Sequence, residues 1–534
     1  MRGIMIDCSR NAVMNLNSIK KMVLHLEKMH YDTLLLYTED TYEVDGEPLF
    51  GHLRGRFSKD ELREIDSFCI QHSIELIPCI QTLAHLNAIF KWHKEYDRIN
   101  DCNDILLVDE DDTYKLIDRM FSSLSSCITS KKINIGMDEA IMLGYGRYRS
   151  KHGVVGNRFE IIVRHLKKVC EIADKYGFVP MMWSDMICSL VAQSSNYYDD
   201  LTFEQIKQMT GLPDNVSLIY WDYAGTDYDL YTRRIKKNAA FGNPVIFAGG
   251  AWCWNGFTPD NQFSIDNTKV AVKACIDNGV NDVFLTLWGD DGGECSRFAM
   301  LPTLAFMAGQ LENKTEEQIK ADFYELTGMS YDDFMLLDLL DIPVEGDTED
   351  LDKPYYNKFT KMWLYNDPFM GMADYRVLGK ENAHYKDVYN KLSKVEPTED
   401  YKLLFAYSTA LADLLSVKTE LGSRTRNAYK SNNKEQLREI AENEYTATME
   451  KLNTFHKVYL EFWFSENKPH GFDIQDVRMG GLLKRLESCK NRLIDYCDGK
   501  TDSIPELEEP VIASARNHSW GGMVTPNVIT HIIK

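Results

Sequence analysis

The sequence has little of what nucleic-acid-binding and membrane proteins need. Its 60 lysines and arginines are outnumbered by 81 aspartates and glutamates, a formal net charge of −21. A surface that acidic repels phosphate backbones and anionic lipid. No window approaches the roughly 18 uncharged apolar residues of a membrane span. The first apolar stretch, Met1–Ile6, is interrupted by Asp7 and Arg10 before a signal-peptide core can form. The 12 cysteines form no C-x-x-C pair, which argues against zinc ribbons and thioredoxin-type centres. Scattered thiols without a leader predict a reduced, cytoplasmic chain in which most cysteines are small core residues. No G-x-G-x-x-G follows the first apolar run, which weakens a dinucleotide-binding reading.

What is present is an ordinary globular composition, 44% apolar and 26% charged, over 534 residues. That length suits one barrel of about 250–300 residues with an extension. Eight short apolar runs recur in the first part of the chain: Gly3–Cys8, Thr33–Thr38, Glu75–Ile80, Ile133–Met137, Val179–Trp183, Ser217–Trp221, Pro244–Ala248 and Asp282–Trp288. Continuous apolar runs are expected of strands buried on both faces, as in a parallel sheet. The intervening segments carry helix signals. Ser58–Glu61 is a capping box, and Arg158–Tyr176 and Asn267–Asn278 have helical periodicity, the latter followed by Gly279. Eight strand–helix units predict an α/β fold, a (β/α)8 TIM barrel over residues 1–310, with an open doubly wound sheet as the alternative.

Beyond residue 310 the period changes to that of helices. Thr315–Gln318 is a second capping box, and Leu437, Ala441, Tyr445, Met449, Leu452, His456 and Tyr459 recur every three to four positions. Glu399–Leu421 and Ile474–Tyr496 behave similarly. Residues 311–534 are therefore expected to form a mainly α-helical C-terminal domain, docked on the barrel or mediating a homodimer. The acidic stretch Asp341–Pro354 reads as a linker, and Ser519–Lys534 as a docked tail or short strand.

In a (β/α)8 barrel, chemistry sits at the C-terminal ends of the strands. Those ends carry Asp7 and Arg10, Glu39 and Asp40, His85, Asp138 and Glu139, Trp183 and Asp185, Tyr220 to Tyr223, Trp252 and Trp254, and Trp288, Asp290 and Glu294. Five of the nine tryptophans fall between 183 and 288. Aromatic rings around a polar pocket suit a pyranose, whose C–H face stacks on indole while its hydroxyls meet carboxylates and arginine. In the adjacent acids Asp138–Glu139 each carboxylate disfavours ionisation of the other, so one is expected to hold its proton near neutral pH, as a general acid must. Plainer readings accompany these. The acid pair could be a solvated ion-pairing site, Arg10 could bridge to Asp7, and His85 could be a satisfied core residue. Glu39 and Asp40 could be solvated loop charges. Of Trp252 and Trp254, the first is the better candidate for sugar contact.

The segment Ile133–Glu139 (INIGMDE) resembles the strand-4 Asp-Glu signature of glycoside hydrolase family 20, the exo-acting β-N-acetylhexosaminidases. Arg10, His85, Trp183-x-Asp185 and Trp288 extend the resemblance, and the layout is most similar to stand-alone bacterial members with a helical extension. The resemblance implies a retaining, substrate-assisted mechanism on terminal β-linked GlcNAc or GalNAc of oligosaccharides or glycoconjugates, through an oxazolinium intermediate and without metal or cofactor. Asp138 would orient and charge-stabilise the 2-acetamido group, and Glu139 would act as general acid and then base. Arg10 would bind the O3/O4 edge, and Trp183, Trp221, Trp252 and Trp288 would wall the pocket. Where the family has Trp-x-Glu after strand 8, this chain has Trp288-Gly289-Asp290, leaving Asp290 or Glu294 for O4/O6. The family's strand-7 Tyr-x-Asp is Trp252-Cys253-Trp254 here, leaving Tyr220 or Tyr223 to meet the acetamido oxygen. Two other classes compete. One is a metal-dependent barrel hydrolase using His85, Asp138, Glu139 and Asp185, although the chain lacks the H-x-H spacing frequent on such barrels. The other is a non-catalytic glycan-binding barrel.

Overall fold

The computed structural model describes residues 1–153, 156–194, 197–209, 211–344 and 359–512. Eight parallel strands close a barrel in the order β1-β8-β7-β6-β5-β4-β3-β2: β1 (Arg2–Asp7), β2 (Thr33–Glu39), β3 (Glu75–Ile80), β4 (Lys132–Asn134), β5 (Val179–Trp183), β6 (Ser217–Trp221), β7 (Val245–Gly250) and β8 (Val283–Leu287). The closing pair, β1 and β8, runs in register from Arg2 opposite Val283 to Ile6 opposite Leu287. The TIM-barrel expectation holds, and closure rather than an open sheet is the outcome.

Strand geometry decides which residues reach the pocket. Side chains alternate between faces with a period of two. Met5, Leu35, Tyr37, Ile77, Cys79, Met181, Ile219, Ile246, Ala248 and Phe284 form one buried cluster inside the barrel. Their neighbours Ile4, Ile6, Leu34, Leu36, Leu76, Met182 and Leu218 pack outward against the helices. Continuing the inner parity to the strand ends places Asp7, Glu39, Gln81, Trp183, Trp221 and Trp288 on the pocket side.

β4 is shorter than its apolar run. It ends at Asn134 because Gly136 and Met137 both take left-handed backbone, φ 72° each, which no regular strand accommodates. The Asn134 side chain accepts a hydrogen bond from the Gly136 amide at 2.9 Å, turning the chain at that point. Both capping boxes form. Glu61 N donates to Ser58 Oγ at 3.1 Å and Ser58 N to Glu61 Oε2 at 2.8 Å, and Thr315 and Gln318 make the same exchange.

The C-terminal part is helical, as its periodicity predicts, and includes Lys402–Lys418, Leu421–Lys430, Tyr445–Glu466 and Phe472–Cys497. The long pattern around Leu437–Tyr459 is not one α-helix. A π-turn at Ile440–Glu444 separates Lys434–Glu439 from Tyr445–Glu466. This region grips the top of the barrel through its β7 and β8 loops. Phe257 packs edge-on against Phe455 and Tyr459, Glu466 accepts from Ser296 Oγ at 2.7 Å, and Asp338 accepts from Gln262 N at 2.8 Å. Asp341, expected to open a linker, is instead buried, accepting from Thr360 N at 2.9 Å and from Thr258 Oγ1. Burial pushes the Asp338, Asp341 and Glu466 carboxyls up to about 7. The rest of the expected linker and the Ser519–Lys534 tail lie outside the described residues.

All twelve cysteines are unpaired, ten of them buried. No helix among the described residues is long and apolar enough to cross a membrane.

Candidate active site

A cavity of about 210 Å³ opens at the C-terminal end of the barrel. Its polar wall is Arg10, His85, Asp138, Glu139 and Asp290. Its aromatic wall is Trp183, Trp221, Tyr223, Trp254 and Trp288.

Asp138 has a neighbour at each carboxylate oxygen. Gln81 Nε2 donates to its Oδ1 at 2.7 Å, and His85 Nε2 lies 3.2 Å from its Oδ2. Burial pushes this carboxyl up, but the His85 charge and the Gln81 bond outweigh it and hold Asp138 below its ordinary range. Reciprocally, burial opposes charge on His85, and the Asp138 carboxylate overcomes it, raising the imidazole to about 10. Gln81 also accepts from Met137 N at 3.3 Å and donates to Tyr37 OH at 2.9 Å, tying β2, β3 and the β4 turn together. A side chain at Gly136 would meet Gln81 Oε1 at 2.1 Å, so a glycine there lets Gln81 pass under the acid pair.

Glu139 differs from its neighbour. It sits at the mouth with its side chain 55% exposed, 3.6 Å from His85 Nε2. Burial first and the Asp138 charge second push its carboxyl above the ordinary glutamate range. Its amide donates to Asp185 Oδ2 at 2.9 Å, fixing Glu139 in left-handed backbone, φ 48°. Four non-glycine residues around this cavity adopt positive φ: Glu39, His85, Met137 and Glu139. Such strain is tolerated where surrounding contacts over-determine the backbone, and it gathers at functional sites. Asp185 is fully buried, and burial plus Asp138 push it up to about 7.

Arg10 lies between two carboxylates, with Nη1 2.9 Å from Asp7 Oδ2 and Nη2 3.3 Å from Glu39 Oε1, and it reaches 3.8 Å from Asp290. Its guanidinium covers Tyr37 and Trp288 at 5.2 and 5.1 Å. The bridge to Asp7 exists, and Arg10 still lines the cavity. Glu39 and Asp40 are not solvated loop charges. Both are buried, Asp40 against Arg54 at 3.1 Å.

Three candidates are corrected by the geometry. Tyr220 has the outer parity of β6. It packs against Tyr198, Tyr231 and Phe247 and donates to Asp222 at 2.8 Å, away from the cavity. Tyr223, beyond the strand, turns back and lines it. Trp252 lies behind Trp254, stacked at 4.0 Å, and donates its Nε1–H to Tyr223 O at 2.6 Å. The chain leaves extended geometry there, so the second tryptophan of the pair faces the pocket. Glu294 is fully buried and faces the helical region, with Oε1 2.7 Å from Arg478 Nη1 and 3.0 Å from Lys361 Nζ; Asp290 takes the cavity position. Sequence reasoning missed Gln81. Its one signal is inner parity two residues beyond Cys79, which a lone glutamine does not advertise. Among the described residues, no group of three or more His, Cys, Asp or Glu side chains is arranged to hold a metal ion.

Two comparisons bear on this architecture together. The glycosyl hydrolase family 20 catalytic domain matches residues 1–249, and the Glycoside Hydrolase 20C C-terminal domain matches residues 332–524. The chain belongs to glycoside hydrolase family 20. The family 20 catalytic match contains Arg10, His85, Asp138, Glu139, Trp183, Trp221 and Tyr223, while Trp254, Trp288 and Asp290 complete the cavity from beyond it.

Among curated relatives, hexosaminidase D of Homo sapiens is 22% identical over 229 residues, covering 41% of this chain and 44% of the human protein. Hexosaminidase D of Bos taurus is 22% identical over 244 residues, covering 43% of this chain and 64% of the bovine protein. The chain thus spans less than two thirds of either relative. Solved structures similar to it include a GH20 exo β-N-acetylglucosaminidase from Vibrio harveyi, with 13% identity, TM-score 0.46, and 63% of this chain and 58% of that chain covered. Another is a GH20 β-N-acetylhexosaminidase from Streptomyces coelicolor, with 17% identity, TM-score 0.44, and 62% and 69% covered.

Proposed function

We propose that this protein is a retaining exo-β-N-acetylhexosaminidase that releases terminal β-linked GlcNAc or GalNAc by substrate-assisted catalysis. The observation that carries the reading is the placement of two adjacent acids in one aromatic-walled pocket. Asp138 is withdrawn, with Gln81 Nε2 donating to it at 2.7 Å and His85 Nε2 3.2 Å away, while Glu139 stands at the mouth, and these surroundings lower the first carboxyl and raise the second. Two neighbouring carboxyls driven apart in proton affinity can take opposite roles.

In this mechanism the sugar's own 2-acetamido oxygen attacks the anomeric carbon. Asp138 accepts the acetamido N–H and balances the positive charge that develops on the oxazolinium ring. Glu139 donates its proton to the glycosidic oxygen as that bond breaks, then takes a proton from the water that opens the ring, so the configuration is retained. Tyr223, which lines the cavity beside Thr286 and Trp288, meets the acetamido oxygen. Arg10 and Asp290 form the polar end for the ring hydroxyls. Trp183, Trp221, Trp254 and Trp288 enclose the ring. The barrel interior beneath the cavity is filled by Met5, Ile77, Met181 and Phe284, and a closed floor supports an exo mode.

The reading is tested with aryl β-N-acetylglucosaminide and aryl β-glucoside, each with and without EDTA. Hydrolysis of the N-acetyl substrate alone, unchanged by chelator, is the expected result. Equal cleavage of both sugars would remove the acetamido group from the mechanism, loss of activity in EDTA would favour a metal-dependent hydrolase, and binding without turnover would indicate a glycan-binding barrel.

A further inference from the structure

Asp290 sits on a short loop, residues 289–294, that leaves β8 and is fastened at both ends. At its start Gly289 N donates to Asp7 Oδ2 at 2.9 Å, on the same carboxylate oxygen that holds Arg10. The loop then folds back, with Gly293 N donating to Gly289 O at 2.8 Å. Gly292 and Gly293 take φ of 136° and 65°. A Cβ on Gly293 would come within 2.6 Å of Ala12 Cβ, so the loop lies flat on the β1 turn. At its end the Glu294 side chain is withdrawn from solvent completely, and among the described residues its side-chain partners come from the helical region. Arg478 Nη1 lies 2.7 Å from Oε1, Gln475 donates to the same oxygen at 3.2 Å, and Lys361 Nζ reaches Oε1 at 3.0 Å. Tyr407 OH donates to the Glu294 carbonyl at 3.3 Å.

We infer that the helical region is a working part of the sugar pocket: through Glu294, residues Arg478 and Lys361 act as positioning residues that set Asp290 against Arg10 and so govern recognition at the polar end. This rests on the proposed reading, in which Asp290 meets the ring hydroxyls. A buried carboxylate with two cations is an expensive way to close a loop, because desolvating three charges is repaid only by good geometry. An apolar contact would dock two domains equally well, but it would not fix a six-residue loop in one conformation. With Arg478 removed, Lys361 and Gln475 still face Glu294, so the variant retains one cation on the buried acid.

The test compares Arg478→Ala, Arg478→Lys, Asp290→Asn and, as a control, Arg485→Ala. Arg485 lies on the same helix but pairs with Asp367 at 2.7 Å, away from the cavity. KM and kcat are measured on aryl β-GlcNAc and aryl β-GalNAc, which differ only at O4, with hydrogen exchange followed across residues 286–296. Arg478→Ala is expected to raise KM about ten-fold on at least one epimer, with kcat within about two-fold, as for a lost charged hydrogen bond felt equally in ground and transition states. It should change the ratio of the two KM values in the direction of Asp290→Asn and speed exchange at 289–294. Arg478→Lys restores both, and Arg485→Ala lowers Tm alone. If Arg478→Ala leaves exchange and KM as in wild type, or behaves like Arg485→Ala, the inference is overturned. If wild type hydrolyses neither epimer, the proposed function fails, and unchanged exchange in Arg478→Ala would separately refute the clamp.

Discussion

Replacing Glu139 by glutamine is expected to lower kcat/KM on an N-acetylhexosaminyl disaccharide by about 10²–10⁴-fold, the range for loss of a positioned general acid. The substitution keeps the size of the side chain and removes only the proton and charge. An aryl glycoside whose leaving group departs without protonation should therefore lose much less in its first step, so the penalty depends on the leaving group. The pH profile should change with it. Burial and the Asp138 charge raise the Glu139 carboxyl above the ordinary glutamate range. Its acid form then persists to higher pH than a solvated glutamate's, and activity on the disaccharide falls as pH rises through that raised value. In Glu139→Gln this alkaline fall disappears. Wild-type rates on the disaccharide, or an equal penalty on both substrates, would show that Glu139 is not the proton donor.

Replacing Asp138 by asparagine is expected to lower kcat by about 10²–10³-fold, comparable to losing one preorganised group aimed at developing charge. Here the penalty should be independent of the leaving group, because Asp138 acts on the acetamido side of the ring and takes no part in protonating the aglycone. A second signature follows from its partner. The Asp138 carboxylate is what raises the His85 imidazole to about 10 against the opposing effect of burial. With an uncharged amide in its place, His85 should titrate below that value, which a histidine NMR titration reads directly. If Asp138→Asn keeps kcat within about ten-fold of wild type, the charge-stabilising role is wrong. If His85 titrates unchanged, the coupling between the two is wrong.

The barrel was legible because parallel strands buried on both faces leave an uninterrupted apolar run, and eight of these stand out between polar segments. Boundaries were less legible where a backbone angle, not a side-chain pattern, ends the strand. Ile135–Met137 continues the apolar run of β4, yet Gly136 and Met137 turn out of it with positive φ. The acid pair, Arg10, His85, Trp183, Trp221 and Trp288 were visible as chemistry at strand ends, and all line one cavity. The errors fall where position depends on parity or on a distant partner. Tyr220 and Trp221 are adjacent and equally aromatic, and only the period of two sends one outward. Trp252 and Trp254 exchange places because the chain after β7 is a loop. Glu294 looks like a sugar ligand beside Asp290 until the helical region supplies Lys361 and Arg478, a contact with no local signal. Gln81 holds Asp138 at 2.7 Å, yet its role exists only once β3 and β4 are neighbours.

In the proposed mechanism the substrate's own acetamido oxygen is the nucleophile. The measurement that addresses it most directly is kcat/KM across aryl β-glucosaminides whose N-acyl group is acetyl, fluoroacetyl, difluoroacetyl and trifluoroacetyl. Fluorine withdraws electrons from the carbonyl oxygen while changing its size little. A steep, monotonic fall in rate along the series is expected. A flat dependence, with the trifluoroacetyl substrate cleaved as fast as the acetyl one, would contradict it.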